Sequence, residues 1–148
     1  MSGARLASWS YAEDFVPEAE TADGARRTGS GLGATPVGTG GGAALRMLAA
    51  ASAAKAVIEI GTGAGTSGLW LLEGMPADGV LTTIDAAAEH FQAAKAAYAK
   101  AGISHTRTRV ITGSAHDVLP RMTDGAYDMV FIDADKASYP QYVEHGIR

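Results

Sequence analysis

Residues 57–67 read VIEIGTGAGTS, and this stretch decides the fold. Its first four residues predict a short buried strand, its glycines predict a sharp turn, and residues 67–72 predict the helix that follows. Glycine suits such a turn because a Cβ would block both the tight backbone path and the close approach of a ligand. Backbone amides at the start of the next helix favour an electron-rich ligand group. The stretch therefore predicts a nucleotide-like ligand in an α/β domain, with a purely structural turn as the alternative.

The composition places limits on the class of protein. The chain has 148 residues, enough for one domain with a hydrophobic core. Hydrophobic residues make up 47% of it and charged residues 19%, which is typical of a folded globular chain. The formal net charge of -4 gives no basic field, so neither nucleic acid nor a membrane is expected as a partner. No apolar run reaches the roughly 18 residues of a membrane span, and the N-terminus has no apolar stretch typical of a signal peptide.

Cysteine and histidine usage narrows the chemistry further. Cysteine is absent, which excludes disulfides, thiolate nucleophiles and zinc–sulfur sites. A cytoplasmic location is therefore expected. None of the histidines stands at a metal-ligand spacing, and each is expected to be a solvated surface residue; they are His90, His105, His116 and His145.

Strands and helices alternate along most of the sequence. Further strands are predicted at residues 80–85, 107–112 and 127–133; helices are predicted at residues 87–101 and 113–119 and around Tyr139 and Tyr142. This alternation predicts a single α/β domain over residues 1–148, with a Rossmann-like, doubly wound parallel sheet whose core is residues 55–148. The fourth strand is nearly all apolar, as expected of a strand covered on both faces.

Residues 1–54 are predicted to form N-terminal helices and a lid. Residues 1–10 predict a loose arm, and residues 11–27 predict one helix with its acids early and its arginines late. A glycine-rich strip at residues 29–42 leads into a helix over residues 43–54. Such a strip is either a solvated linker or a lid that folds over a ligand, and the sequence leaves both open.

Polar residues follow each predicted strand. They are Gly61–Gly65 after the first strand, Asp85 after the second, Ser114 after the third and Asp133 after the fourth. In an open α/β sheet, ligands bind beyond the carboxyl ends of the strands, so these residues predict one shared site. Asp85 lies 20 residues after Gly65, a distance that suits a carboxylate accepting both hydroxyls of a ribose. A helix cap is the simpler alternative for Asp85.

The charges around the loop distinguish between nucleosides. The third glycine of the dinucleotide fingerprint would fall at position 66, which is Thr66. A pyrophosphate would be repelled by Glu59, whereas a ligand with an ammonium and a sulfonium would be attracted by Glu59, Asp133 and Asp135. This pattern favours S-adenosylmethionine over NAD. A nucleotide-dependent oxidoreductase is the alternative.

Three segments carry a resemblance to a known family: YAEDF at residues 11–15, VIEIGTG at 57–63 and FIDADK at 131–136, the last with Tyr139 and Tyr142. They resemble the metal-dependent class I O-methyltransferases, a family that includes caffeoyl-CoA and catechol O-methyltransferases and bacterial relatives. The resemblance implies an S-adenosylmethionine-dependent enzyme that methylates a hydroxyl of a small phenolic or catechol-like substrate. It also implies a divalent metal, Mg²⁺, and a homodimer.

The resemblance further implies a set of cofactor-binding residues. Around the methionine end of the cofactor it places Val37 (through its backbone), Glu59, Gly61, Thr62 and Ser67. Around the nucleoside it places Asp85 on the ribose hydroxyls, Ala86 beside the adenine, and Ser114 and Ala115 flanking the adenine ring, and it adds Asp135 and Tyr142 as further cofactor contacts.

Two residues receive catalytic roles from the same resemblance. Asp133 would be a metal ligand at the substrate, and Lys136 would be the general base. Methyl transfer from a sulfonium is an in-line displacement, so the enzyme mainly positions an oxygen nucleophile. A metal lowers the pKa of the acceptor hydroxyl and a lysine takes its proton, while Mg²⁺ favours carboxylate ligands. For Lys136 the alternative is an ordinary surface lysine.

The sequence also departs from the family. Relatives continue into further strands, one of which brings an Asp–Asn pair that completes the metal site, whereas this sequence ends at Gly146-Ile147-Arg148. We therefore expect the C-terminal strands to be missing and the fourth strand to be an exposed sheet edge. A catalytically silent fragment that binds S-adenosylmethionine is the alternative function. The glycines at residues 40–42 stand where relatives often carry an acid.

Overall fold

A parallel sheet of four strands carries the fold of residues 3–148, the part of the chain that the computed structural model describes. The strands are β1 (Ala56–Ile60), β2 (Val80–Asp85), β3 (Thr108–Thr112) and β4 (Met129–Ile132). They pair in the order β3-β2-β1-β4, and every pair is parallel. Strand addition reverses its direction between β1 and β4, which opens a crevice at the carboxyl ends of the strands. The predicted Rossmann-like parallel sheet is confirmed.

Helices cover both faces of this sheet. Within the described residues they are α1 (Gly3–Phe15), α2 (Glu20–Gly31), α3 (Thr39–Ala51), α4 (Thr66–Gly74), α5 (Ala88–Lys100), α6 (Ala115–Val118) and α7 (Tyr139–Gly146). Successive residues of a strand point to opposite faces, so Val57 and Ile58 of β1 enter different apolar clusters. The first cluster contains residues of α2 to α5, and the second contains Tyr142 of α7. The sheet is therefore doubly wound, as predicted.

The N-terminal helices differ from the sequence prediction. The single helix predicted over residues 11–27 is wrong, because α1 ends at Phe15 and α2 begins at Glu20. Pro17 stands between them, and proline disfavours helical backbone at the residue before it. The loose arm predicted over residues 1–10 is wrong for residues 3–10, which are helical; residues 1 and 2 lie outside the described residues. Since α1 buries none of its residues, no apolar stripe marks it in the sequence.

The glycine-rich strip is largely helical. Helix α2 continues to Gly31 and α3 begins at Thr39, so only residues 32–38 of the strip lie outside a helix. The glycines of α3 allow close packing: Gly42 is buried, and a Cβ there would collide with the indole of Trp70 in α4. Close packing against α4 stabilises α3 as a helix, although its glycine-rich composition suggests a flexible segment.

Strand β4 forms one edge of the sheet. It pairs only with β1, and each of its four residues is half-buried. The expectation of a sheet edge is confirmed, while the expectation of a strand fully covered on both faces is wrong. An apolar strand with one free row of backbone hydrogen-bonding groups is prone to pair with another chain.

Among the helices of residues 3–148, none combines the length and the apolar character that a bilayer crossing requires.

Packing between α3 and α4 can be tested at Gly42. We expect Gly42→Ala to lower the free energy of unfolding by about 1–3 kcal/mol, because the added methyl must displace the buried ring of Trp70. The matched control is Gly24→Ala in α2, where a Cβ meets nothing within 4 Å. There, higher helix propensity should stabilise the protein by roughly 0.5–1 kcal/mol. Thermal or urea unfolding measures both variants. A Gly42→Ala variant with the same free energy of unfolding as the wild type would contradict the packing described.

Candidate functional site

A cavity of about 570 Å³ opens at the carboxyl ends of all four strands. Its volume lies within the range of small-molecule and cofactor sites. Most of the predicted site residues line it: Val37, Gly61, Thr62, Ser67, Asp85, Ala86, Ser114, Ala115, Asp133, Asp135 and Tyr142. Two predicted residues, Glu59 and Lys136, are not part of its lining. The residues at the strand ends therefore line one common cavity, as expected, and the binding of a ligand there stays a prediction.

The glycine loop is held against the neighbouring strands. Gly61 has a φ of 99°, and a Cβ at this position would collide with the backbone carbonyl of Asp133. The Gly61 amide donates to the Ile84 carbonyl at 2.9 Å, and the Asp133 amide donates to the Ile60 carbonyl at 2.8 Å. The ends of β1, β2 and β4 therefore approach one another more closely than any residue with a side chain at position 61 would allow.

The carboxylate of Asp85 is fixed on this loop. Its Oδ2 accepts from the Gly63 amide at 2.9 Å, and its Oδ1 accepts from the Ala87 amide at 2.9 Å. Asp85 thus joins the glycine loop to the start of α5, which is more than the helix cap considered as its alternative. The side chain is 13% exposed and faces the cavity.

Glu59 lies behind the cavity wall. It is fully buried on β1, where Ser67 Oγ donates to its Oε1 and Thr83 Oγ1 donates to its Oε2 at 2.6 Å. Thr83 Oγ1 in turn lies 2.7 Å from Thr62 Oγ1. The carboxyl group therefore orients two hydroxyls that face the cavity, those of Ser67 directly and Thr62 through Thr83. Its predicted contact with the methionine end of a cofactor stays a prediction.

Burial raises the pKa of Glu59 to about 7. The hydrogen bonds from Ser67 and Thr83 act in the opposite direction, and the negative charges of Asp133 and Asp85 raise the pKa further. Near neutral pH, a buried carboxyl with this pKa gains or loses its proton when the charges or hydrogen bonds around it change slightly. Hydroxyl partners suit both forms, because a hydroxyl can donate or accept.

Asp135, which follows β4, lines the cavity and is held by two hydrogen bonds. The Tyr142 hydroxyl donates to its Oδ1 at 2.7 Å, and the Ser138 amide donates to its Oδ2 at 3.1 Å. The hydrogen bonds of Ser138 and then Tyr142 lower the pKa of Asp135, so this side chain stays a carboxylate. Burial and then the bond to Asp135 raise the pKa of Tyr142. His116 completes the group, with its Nε2 3.0 Å from Ser138 Oγ.

Of the two residues predicted to be catalytic, one lines the cavity and the other does not. Asp133 is exposed and lines the cavity, whereas Lys136 places its Nζ 5.6 Å from the ring centroid of Tyr139, outside the lining. Over residues 3–148 no group of three or more Asp, Glu, His or Cys side chains is arranged to hold a metal ion. Asp133 alone does not make a metal site, so the chain as described does not fit a bound Mg²⁺. The role of Lys136 as a base stays a prediction.

A half-buried ion pair holds Val37 at the remaining wall. Arg26 of α2 donates to the Glu18 carboxylate and to the Val37 carbonyl, and Trp70 Nε1 of α4 donates to Glu18 Oε1 at 3.4 Å. Residues 33–37 line the cavity as a result. Of the two alternatives for the glycine-rich strip, this position favours the lid over the linker for residues 33–37, and the lid itself stays a prediction.

Sequence reasoning missed several residues that line the cavity, His90 among them. His90 was expected at the solvated surface, yet it lines the cavity, and its Nδ1 lies 3.1 Å from both carboxylate oxygens of Asp85. The signal available in the sequence was its spacing: a residue in the first turn of α5 stands near the end of the preceding strand. His116 also lines the cavity, although it is exposed.

The pKa of Glu59 predicts a pH effect on stability. An unfolded glutamate releases its proton near pH 4.5, whereas the folded protein holds it up to about pH 7. The free energy of unfolding should therefore fall as the pH rises from about 4.5 to about 7, by on the order of 3 kcal/mol from this group. Glu59→Gln cannot ionise and should lose this part of the pH dependence.

Thermal unfolding at about pH 5 and about pH 8 measures the effect, because the variant should gain in melting temperature relative to the wild type at the higher pH. Glu89→Gln removes a carboxylate from an exposed position of α5 and controls for the loss of one charge. A difference between Glu59→Gln and wild type that is constant across this range would argue against a protonated Glu59.

Comparison with known proteins gives the family. Residues 23–148 match the family model described as O-methyltransferase. A protein of Mycobacterium tuberculosis (strain ATCC 25618 / H37Rv) named "Probable O-methyltransferase" is 51% identical over 140 residues, which are 95% of this chain and 62% of the relative. This chain thus spans less than two thirds of the length of that relative.

Two solved structures share the fold. The O-methyltransferase TomG from Streptomyces achromogenes, crystallised in complex with SAM, is 30% identical with a TM-score of 0.86, over 98% of this chain and 68% of that one. An O-methyltransferase from Bacillus cereus in complex with SAH is 28% identical with a TM-score of 0.84, over 95% and 66%. The family match, the identity to the mycobacterial relative and the shared fold lead to one conclusion: this chain belongs to the O-methyltransferase family.

Proposed function

We propose that the cavity binds S-adenosylmethionine and that the protein is an S-adenosylmethionine-dependent O-methyltransferase. The single observation that carries the proposal is the charge of the cavity. Asp85, Asp133 and Asp135 line it, and no Lys or Arg is found among its lining residues over the described range 3–148. A cavity with this charge favours a cationic, phosphate-free nucleoside over a pyrophosphate, because charge interactions strengthen where water is partly excluded. The crystal structures of TomG with SAM and the Bacillus cereus enzyme with SAH support the same ligand.

The protein's part in the reaction is mainly one of positioning. Bound S-adenosylmethionine supplies an electrophilic methyl group on a sulfonium. Asp85 would offer its remaining lone pair to a ribose hydroxyl, while Thr62 and Ser67 would present hydroxyls oriented through Glu59. Asp133 is exposed and lines the cavity, where it would help to orient an acceptor hydroxyl.

The finer proposal concerns the acceptor. We propose a small phenolic or catechol-like hydroxyl, with Lys136 taking its proton; the resemblance also implies a divalent metal at Asp133, which the described residues 3–148 do not by themselves hold. The resemblance of the FIDADK segment supports this proposal, while Asp133 by itself supplies too few ligands for Mg²⁺. The transfer is therefore derived without a metal step. A homodimer and a cytoplasmic location are likewise proposals, which rest on the resemblance and on composition.

A catalytically silent fragment that binds S-adenosylmethionine is the second candidate. The absence of a three-ligand metal group in residues 3–148 and the position of Lys136 outside the cavity lining favour it. The nucleotide-dependent oxidoreductase considered from the sequence is less well supported, because a pyrophosphate would meet only carboxylates among the charged residues that line the cavity.

Cofactor binding is tested by calorimetric titration with S-adenosylhomocysteine. We expect the wild type to bind it and not to bind NAD, and Asp85→Ala to weaken binding by roughly 10- to 100-fold, because a hydrogen bond from a ribose hydroxyl to a charged acceptor is lost. Asp78→Ala is the matched control, since Asp78 pairs with Lys55 in an exposed turn before β2. Tight binding of NAD, or unchanged affinity in Asp85→Ala, would exclude the proposed ligand.

Methyl transfer is tested with a catechol acceptor and labelled S-adenosylmethionine, with added Mg²⁺ or with a chelator. We expect Lys136→Ala to lower the transfer rate by about 100-fold or more without changing the affinity for S-adenosylhomocysteine, because only proton removal is lost. Lys100→Ala, at the exposed end of α5, should transfer like the wild type. Binding of the cofactor without transfer under any of these conditions would favour the silent fragment.

A further inference from the structure

A histidine stands beside the carboxylate proposed to hold the ribose. His90 lies in the first turn of α5, and its Nδ1 is 3.1 Å from Oδ1 and 3.1 Å from Oδ2 of Asp85. The two side chains are 16% and 13% exposed, and both line the cavity. The pair thus borders the space in which a nucleoside would lie.

Three hydrogen-bond donors surround the Asp85 carboxylate. An ionised carboxylate offers about four lone-pair sites and cannot donate. The Gly63 amide takes a site on Oδ2 and the Ala87 amide takes one on Oδ1. His90 lies between the two oxygens, so its Nδ1 must carry a hydrogen and donate it. With His90 counted, these three donors leave about one lone-pair site of the carboxylate, which can accept from a hydroxyl of a ribose.

The Nδ1–H of His90 is a side-chain donor in a cavity whose charged side chains are carboxylates. The other charged groups lining the cavity are the carboxylates of Asp133 and Asp135, and within residues 3–148 no Lys or Arg lines it. His90 is the side chain in contact with Asp85 that donates a hydrogen bond to it, whereas the other donors are backbone amides. A side-chain donor can be removed by substitution while the amides stay in place.

We propose that His90 is a positioning residue of the cofactor site: its Nδ1–H holds the Asp85 carboxylate in the orientation that receives a ribose hydroxyl. The proposal rests on the proposed binding of S-adenosylmethionine. His90 acts through Asp85 and needs no contact with the reacting methyl group. Its loss affects cofactor affinity through that ribose hydroxyl alone.

The test compares three substitutions of His90 that differ in whether, and where, they place a side-chain amide donor. In His90→Asn the side-chain NH₂ stands close to the position of Nδ1, in His90→Gln it stands farther out, and His90→Leu has no donor. We expect His90→Leu and His90→Gln to weaken S-adenosylhomocysteine binding by about 10-fold, and His90→Asn to stay within about 3-fold of the wild type, since one charge-assisted hydrogen bond is removed or kept. His105→Leu, exposed before β3, is the control and should bind like the wild type.

A second ligand separates positioning from a structural effect. The analogue of S-adenosylhomocysteine without the 2′-hydroxyl should bind the wild type more weakly than the parent ligand. In His90→Leu this penalty should shrink, because a misplaced carboxylate no longer discriminates the hydroxyl. Melting temperatures show whether each variant is folded, and His90→Gln serves in place of His90→Leu if the latter does not fold.

Three results would overturn the proposal: wild-type affinity in His90→Leu, equal losses in His90→Asn and His90→Leu, or an unchanged 2′-hydroxyl penalty in His90→Leu. Its failure is distinct from that of the proposed function. If the wild type binds S-adenosylhomocysteine and Asp85→Ala does not, the ligand assignment stands whatever His90 does. If the wild type does not bind it, both proposals fail.

Discussion

The close approach of Gly61 to the backbone of Asp133 is the constraint on which the site depends. Strands β1 and β4 are far apart in the chain but adjacent in the sheet, and their ends meet where Gly61 leaves no room for a side chain. Backbone hydrogen bonds from Gly61 to Ile84 and from Asp133 to Ile60 join three strand ends at this point. Because strand addition reverses direction here, the loops after β1 and β4 diverge and leave a crevice between them. The cavity follows from that geometry.

The carboxyl groups in and behind the cavity wall are held by hydrogen-bond donors other than lysine and arginine. Backbone amides and His90 hold Asp85, the Ser138 amide and the Tyr142 hydroxyl hold Asp135, and two hydroxyls hold the buried Glu59. Hydrogen bonds of this kind satisfy a charged acceptor without cancelling its charge. The cavity therefore keeps a negative field that a lysine or arginine in its wall would neutralise. A cationic ligand completes the charge balance, which is the physical basis of the proposed preference for a sulfonium cofactor.

Much of the fold could be predicted from the sequence. The four strands, the glycine loop and the common edge of Asp85, Ser114 and Asp133 rest on local patterns: apolar runs, glycines and the residue that follows each strand. The N-terminal part could not be predicted in the same way. The exposed helix α1 has no apolar stripe, Pro17 divides a segment whose charges suggest one helix, and packing on Trp70 makes helix of the glycines in α3.

The sequence by itself determined the order of strands and helices, the sharp turn at residues 61–65 and the polar residues at the strand ends, because each depends on neighbours in the chain. Only the tertiary structure decided which polar side chains reach the cavity. It places Glu59 behind the wall, Lys136 against Tyr139, His90 beside Asp85, and residues 33–37 over the cavity through Arg26. Each of these placements depends on the packing of side chains across elements, and a pattern read along one segment carries no record of it.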